Sequence, residues 1–185
     1  MDALRDAILD EALAQAEREG WENVRLRSVA GALGIPLAEV FARFRDADSV
    51  ADALFARLLR AMLAPPDDPA AFAVAPPHER AIEVLWRWFR AALPHRRTVA
   101  AMLAVKAWPS HPHTWVPMVF NLSRLIHWAR DAARLDRGGI ARMVEEVGLT
   151  AAFLATLARF VTDTSEGAAR TRRVLEAAVR RVPLG

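Results

Sequence analysis

Apolar residues recur at three- and four-residue spacing along most of the chain, the signature of amphipathic helices rather than strands, and the pattern predicts an all-α fold of about nine helices. The first, Leu4 to Glu19, turns Leu4, Ile8, Ala12, Leu13 and Ala16 to one side and Asp and Glu to the other. From Leu26 to Phe44 the pattern shortens to two small helices joined by a Gly34-Ile35 turn, with Pro36 setting the start of the second. Val29, Ala30 and Leu33 form an apolar face before the turn, and Val40, Phe41 and Phe44 form one after it, as a helix-turn-helix requires. A fourth helix, Val50 to Leu63, carries the stripe Leu54, Phe55, Leu58 and Met62, with cap residues in Arg45 to Ser49.

Five of the eleven prolines fall between residues 64 and 77, which interrupts helical periodicity and marks a linker. The expected domains are a helix-turn-helix head over 1–63, that linker, and a helical ligand-binding and dimerisation body over 78–185. In the body, His78 to Leu93 places Ile82, Leu85, Trp86, Phe89 and Leu93 on one face, and a further helix runs from Arg96 to Ala107. The next two, Thr114 to Arg134 and Ile140 to Thr162, are apolar around much of their circumference. Such helices are buried or sit at an interface, so they predict a homodimer through a four-helix bundle or an interior lined for a ligand. The last helix, Ala168 to Val182, gathers Val174, Leu175, Ala178, Val179 and Val182 in a narrow arc opposite Arg170, Arg172, Arg173, Arg180 and Arg181. It reads either as a terminal helix docked on its own body or as a basic helix at an anionic membrane surface.

Composition narrows the class. In 185 residues, 54% hydrophobic content fills a core and excludes a disordered chain. No apolar run approaches a membrane span, and the N-terminus lacks a basic stretch followed by an apolar one, so a cytoplasmic protein is expected, with peripheral contact to the inner membrane if the last helix binds lipid. The pI of about 10.7 suggests a nucleic-acid binder. With no Tyr, no Cys and a single Lys, however, almost nothing titrates between neutrality and Arg, and the formal charge is only +3. Residues 1–63 hold 8 Arg against 11 acidic residues, net −3, and the remainder is net +6, so the basic excess lies away from the helix-turn-helix.

No catalytic constellation is present: there is no Gly-rich phosphate loop, no nucleophile elbow and no Cys. The adjacent carboxylates Glu145 and Glu146 diverge on a helix and read as a solvated face. The loop Trp108 to His113 holds His-Pro-His, but without nearby carboxylates it is a poor metal site. Neither enzyme activity nor a cofactor nor a metal is expected.

From Ile8 to Leu63 the chain resembles the DNA-binding head of the TetR family: a leading helix ends at Glu19-Gly20-Trp21, Ala30 and Gly34 fall in place, and Phe44 precedes another helix. Heads of that family carry Ser at the start of the second small helix, Thr and Tyr within it, and Lys just past its final Phe. Here those positions are Pro36, Glu39, Phe41 and Ala47. Each change removes a donor and Glu39 adds a carboxylate, so weak affinity for DNA is expected, with Arg25, Arg27, Arg43 and Arg45 as the contacts if DNA is bound.

A second resemblance begins at Asp163-Thr164-Ser165-Glu166-Gly167, followed by Thr171, Arg173, Leu175 and Glu176. With His127-Trp128-Ala129 and Asp131 upstream, it is similar to the C-terminal domain of the coenzyme Q accessory family of lipid-binding proteins, which shares the TetR fold. Arg130 stands where that family has Gly, Arg172 where it has Trp, and the interval from Asp131 to Asp163 is about one helical turn longer. The resemblance implies an apolar pocket for a lipid or isoprenoid quinone intermediate, a last helix that meets a membrane, and delivery to a ubiquinone-pathway hydroxylase. Pocket candidates are Trp86, Phe89, Met102, Phe120, Phe153 and Leu157. Two readings follow: a non-enzymatic lipid-binding accessory protein of ubiquinone biosynthesis, or a TetR-family DNA-binding repressor controlled by a small apolar ligand.

Overall fold

A computed structural model describes residues 2–108 and 112–185, the side chains of 112–114 excepted, so the reading of the His-Pro-His loop lies outside the described residues. Among the described residues there is no strand, and the ordered elements are α1 (Ala3–Glu19), α2 (Leu26–Leu33), α3 (Leu37–Phe41), α4 (Ala47–Met62), α5 (Pro69–Val74), α6 (Pro77–Ala92), α7 (Arg96–Lys106), α8 (Pro112–Ala132), α9 (Gly139–Phe160) and α10 (Ala169–Val179), with short 3-10 turns between some of them. All nine expected helices are present. The addition is α5, inside the proline-rich segment: Asp68 accepts hydrogen bonds from Ala70 N (3.0 Å) and Ala71 N (2.9 Å), and Pro69 occupies the first turn, where a missing N–H costs nothing.

The chain forms two compact units, Met1–Arg57 with His95–Trp115, and Leu58–Pro94 with Val116–Gly185. In the first, Ile8, Leu9, Ala12 and Leu13 of α1 are buried among Val29, Val40, Phe44, Val50 and Leu54. Asp2 caps α1 through Leu4 N (3.1 Å) and Arg5 N (3.2 Å), and Gly20, at φ +88°, ends it so that Trp21 can turn inward. Asp46 and Ser49 cap α4 reciprocally, Ser49 N donating to Asp46 Oδ1 (2.7 Å) and Asp46 N to Ser49 Oγ (3.1 Å).

Sequence reasoning assigns α7 to the body, whereas the structure groups it with α1. Glu17 accepts a hydrogen bond from Thr98 Oγ1 (3.1 Å). The buried Lys106 ammonium lies 2.5 Å from Asp48 and 2.9 Å from Asp52. Val99 and Met102 are fully buried. These polar contacts span many residues of sequence, and periodicity within a helix carries no information about them.

In the second unit, α10 packs against α9 and α6. The approach is close at Gly148, where a Cβ would come within 2.6 Å of Val182, and His78 Nε2 lies 2.7 Å from the Val182 carbonyl oxygen. Glu145 is not on a solvated face: it is fully buried, with Oε2 accepting from Arg130 Nη2 (2.8 Å) and Nε (3.3 Å). The two adjacent glutamates do diverge, but Glu145 diverges into the interior, where Arg130 of α8 meets it. Glu146 is half-buried and pairs with Arg142 at 2.6 Å.

Candidate nucleic-acid interface

The geometry of the helix-turn-helix follows from three residues. Gly34 takes the left-handed conformation (φ +64°) that closes α2, and its N–H and that of Ile35 satisfy the terminal carbonyls of Gly31 and Ala30. Pro36 then holds extended backbone immediately before α3. Val40 and Phe44, four residues apart, are buried and fix which side of α3 faces the core.

That anchoring decides the outer face. Phe41, expected to pack with Val40 and Phe44, instead lies 71% exposed, and Leu37 is 52% exposed. The physical reason is angular: Phe41 follows Val40 by one residue, about 100° further round the helix, so both cannot face the same core in so short an element. The Val40/Phe44 spacing was the sequence signal that could have placed Phe41 outward.

Leu37, Ala38 and Phe41 share a shallow depression of about 740 Å³ with Arg25, Arg27 and Arg45. Arg25 and Arg27 are exposed, and Arg25 is steadied by hydrogen bonds from Nη1 to the carbonyls of Glu22 (2.7 Å) and Val24 (3.1 Å). Arg45 is 82% exposed and touches Asp46 at 3.1 Å. Arg43, the fourth expected contact, is not part of this group. Its guanidinium is bound to Glu39 Oε2 (2.8 Å), the Glu39 carbonyl (3.0 Å) and Asp2 Oδ2 (2.9 Å), so it ties α3 to the cap of α1. The same pair neutralises the Glu39 carboxylate, the feature that the sequence suggested would repel phosphate.

The expected lipid pocket is distributed differently. Phe89 and Phe153 pack together, ring centroids 5.2 Å apart, within a cluster that includes Trp88 and Phe160. Trp86 lies under the Arg172 guanidinium, 5.1 Å from its ring. Leu157 is half-buried, whereas Phe120 is 65% exposed and therefore lines no interior. Met102 belongs to the first unit. Neither the depression at α3 nor a groove of about 510 Å³ beside α10 is lined by any of the six.

The expected membrane surface is also altered. Leu175, Val179 and Val182 are buried against the unit that carries them and Val174 and Ala178 are half-buried, so most of the apolar arc of α10 is already covered. Arg170, Arg173, Arg180 and Arg181 remain exposed, and Arg172 pairs with Glu176 at 2.9 Å besides covering Trp86. The Asp163-Thr-Ser motif, which carried the second resemblance, proves to be a capping turn around a buried carboxylate: Asp163 accepts from Ser165 and Thr171 and thereby positions the start of α10. Among the described residues no helix is long and apolar enough to cross a membrane, and no group of three His, Asp or Glu side chains could hold a metal ion.

An all-α chain with a helix-turn-helix near its start and a second, larger helical unit defines a class before it defines a family. The comparisons supply the family. The structure of the TetR transcriptional regulator from Nitrosomonas europaea ATCC 19718 is similar over 98% of both chains, at 32% identity and a TM-score of 0.86. A TetR transcriptional regulator from Rhodococcus sp. RHA1 matches over 98% of both chains with a TM-score of 0.67 at 15% identity, a likeness of fold alone. No family model matches the chain, and neither does any curated protein. This protein belongs to the TetR family. The comparisons lend nothing to the coenzyme Q resemblance of the C-terminal region.

Proposed function

We propose that this protein is a homodimeric, sequence-specific DNA-binding transcription regulator whose occupancy of DNA is set by a small apolar ligand, rather than a lipid-binding accessory protein. The observation that carries the reading is the outward face of the helix-turn-helix: Arg25, Arg27 and Arg45 surround the exposed side of α3, and the repelling carboxylate of Glu39 is already paired. The full-length similarity to a TetR transcriptional regulator supports it. The aromatic cluster of Trp88, Phe89 and Phe153 is closed packing in this structure, so an apolar effector would have to open it; the buried Trp88 indole N–H there has no hydrogen-bond partner among the described residues.

Three arginines per head give about six phosphate contacts per dimer, so log affinity should fall against log salt with a slope near −5. A gel shift with the protein's own upstream DNA at physiological salt is the test, and a nanomolar complex that survives non-specific competitor is expected. Arg27→Ala should weaken binding on every sequence alike and flatten the salt slope by about 2, one contact in each half-site. Absence of any competitor-resistant complex would overturn the regulator reading.

Dimerisation rests on a second observation. Beyond the faces that α8 and α9 bury, they expose Val119, Phe120 and Trp128, and Ile140, Met143, Val144, Val147 and Leu154. On α9 the exposed set follows the 3,4 spacing of a packing stripe, opposite the buried Leu149, Ala152, Phe153 and Phe160. A second copy placed on this stripe covers it, and the dimer then carries two heads, one for each half-site of a symmetric operator. Light scattering at micromolar concentration should give twice the 20.5 kDa chain mass, and Val147→Glu should return the monomer mass. A wild-type monomer would refute the dimer.

A further inference from the structure

The face that α3 turns outward has an unusual chemistry for a reader of DNA, because it holds almost nothing that can make a hydrogen bond. Of its five residues Val40 is core, and Glu39 is held by Arg43 at 2.8 Å. Glu39 is itself half exposed, but the other exposed residues, Leu37, Ala38 and Phe41, flanked by Pro36 and Ala42, carry no polar side-chain atom. The positive groups stand around this patch rather than on α3 itself, since Arg25, Arg27 and Arg45 come from the residues before and after it.

In the major groove, guanine and adenine are read by donors to N7 and O6 or by an amide, and cytosine by an acceptor for its N4 amino group; only thymine offers an apolar feature, its C5-methyl. We infer that Leu37 and Phe41 are the specificity-determining residues of this protein and that they read thymine methyl groups, with the flanking arginines holding the phosphates on either side. The inference rests on the regulator reading, which it deepens by stating what kind of sequence is recognised. A partner protein would also cover an apolar patch, but three arginines around it fit the charge of two phosphate strands. Glu39 is the competing reader: freed from Arg43, it would accept from cytosine N4 and select C·G pairs.

The two readings are separated by selecting sites from a random duplex library with the full-length protein, then replacing each thymine of the selected site by uracil, which deletes only the methyl. Enrichment of T·A pairs in both half-sites is expected. Each buried methyl removed should weaken binding about fourfold. Replacing cytosine by 5-methylcytosine next to the contacted thymines should leave affinity unchanged or raise it. Phe41→Ala should erase the difference between thymine and uracil at its position, whereas Arg27→Ala should weaken both DNAs equally. Phe41 makes little contact with the core, so its variant should keep the wild-type melting temperature.

If no sequence is enriched, the regulator reading itself fails. If a sequence is enriched but uracil binds as well as thymine, methyl readout is wrong and the regulator stands. Enrichment of C·G pairs that disappears with Glu39→Gln would transfer specificity to Glu39 and likewise overturn it. Because the uracil measurement uses the unaltered protein, it decides the matter whatever the variants do.

Discussion

Arg130→Ala should destabilise the protein by about 3–5 kcal/mol, the usual cost of leaving one member of a buried ion pair without its partner. The site is fully desolvated: Arg130 is 3% and Glu145 0% exposed. Arg130 does more than neutralise Glu145, since Nη2 also donates to the carbonyls of Leu135 (3.2 Å) and Arg137 (3.0 Å), which close the end of α8 and the loop to α9. Among the described residues Glu145 Oε1 has no hydrogen-bond partner, and Arg137 Nε lies 3.8 Å from it. Removal of Arg130 therefore strands a carboxylate and two carbonyls at once. The midpoint of thermal unfolding should fall by roughly 10 °C or more for a chain of this size. Arg130→Met with Glu145→Leu together should recover part of that loss, because the desolvation cost of both charges disappears while the carbonyls of Leu135 and Arg137 stay without their donor. A single variant that melts within about 2 °C of the wild type would show that the pair contributes nothing to stability.

Asp163→Asn should cost about 3 kcal/mol at neutral pH and much less in acid. The Asp163 carboxylate is fully buried and accepts four hydrogen bonds, from Ser165 N (2.9 Å), Ser165 Oγ (2.6 Å), Thr171 N (2.7 Å) and Thr171 Oγ1 (2.7 Å). Burial pushes its pKa up, but the hydrogen bonds from the side chains and backbone of Ser165 and Thr171 outweigh burial and hold it far below the ordinary carboxylate range. An amide retains one acceptor oxygen and turns an N–H group toward donors that need acceptors. The unfolded chain takes up a proton on Asp163 near pH 4, whereas the folded chain resists, so below that value the unfolded state binds more protons and is favoured. The contribution is complete above the unfolded pKa and declines as pH falls from about 4 toward the depressed folded value. Urea unfolding at pH 7 and pH 3 should show the gap between wild type and Asp163→Asn shrinking by at least 1 kcal/mol, about one pH unit of linkage. A gap of constant size would mean that the carboxylate charge has no role in the turn.

These two sites show where sequence reasoning stops. Helix positions follow from local periodicity, and so do the turn at Gly34, the cap at Asp46–Ser49 and the buried stripes of α1 and α6, because each depends on residues within four or five positions of one another. The TetR fold was legible for the same reason: its head is a succession of short-range signals. The partner of a charged residue is not a short-range property. Glu145 reads as a solvated glutamate until α8 brings Arg130 to it, and Arg43 reads as a free cation until Asp2, forty-one residues away, takes hold of it.

The functional surfaces divide in the same way. Sequence alone determined an all-α chain with a helix-turn-helix, the arginines around it, and the two broadly apolar helices α8 and α9. Tertiary structure decided which of those residues remain available. Packing of Val40 and Phe44 turned Phe41 and Leu37 outward, docking on α9 and α6 covered most of the apolar arc of α10, and the bond to Asp2, forty-one residues away, helped withdraw Arg43 from the exposed group. A helical pattern specifies that a residue has an inner or an outer side, whereas which neighbour occupies the inner side depends on elements distant in sequence. Only the folded chain settles that, through the burial and pairing that distant contacts make favourable.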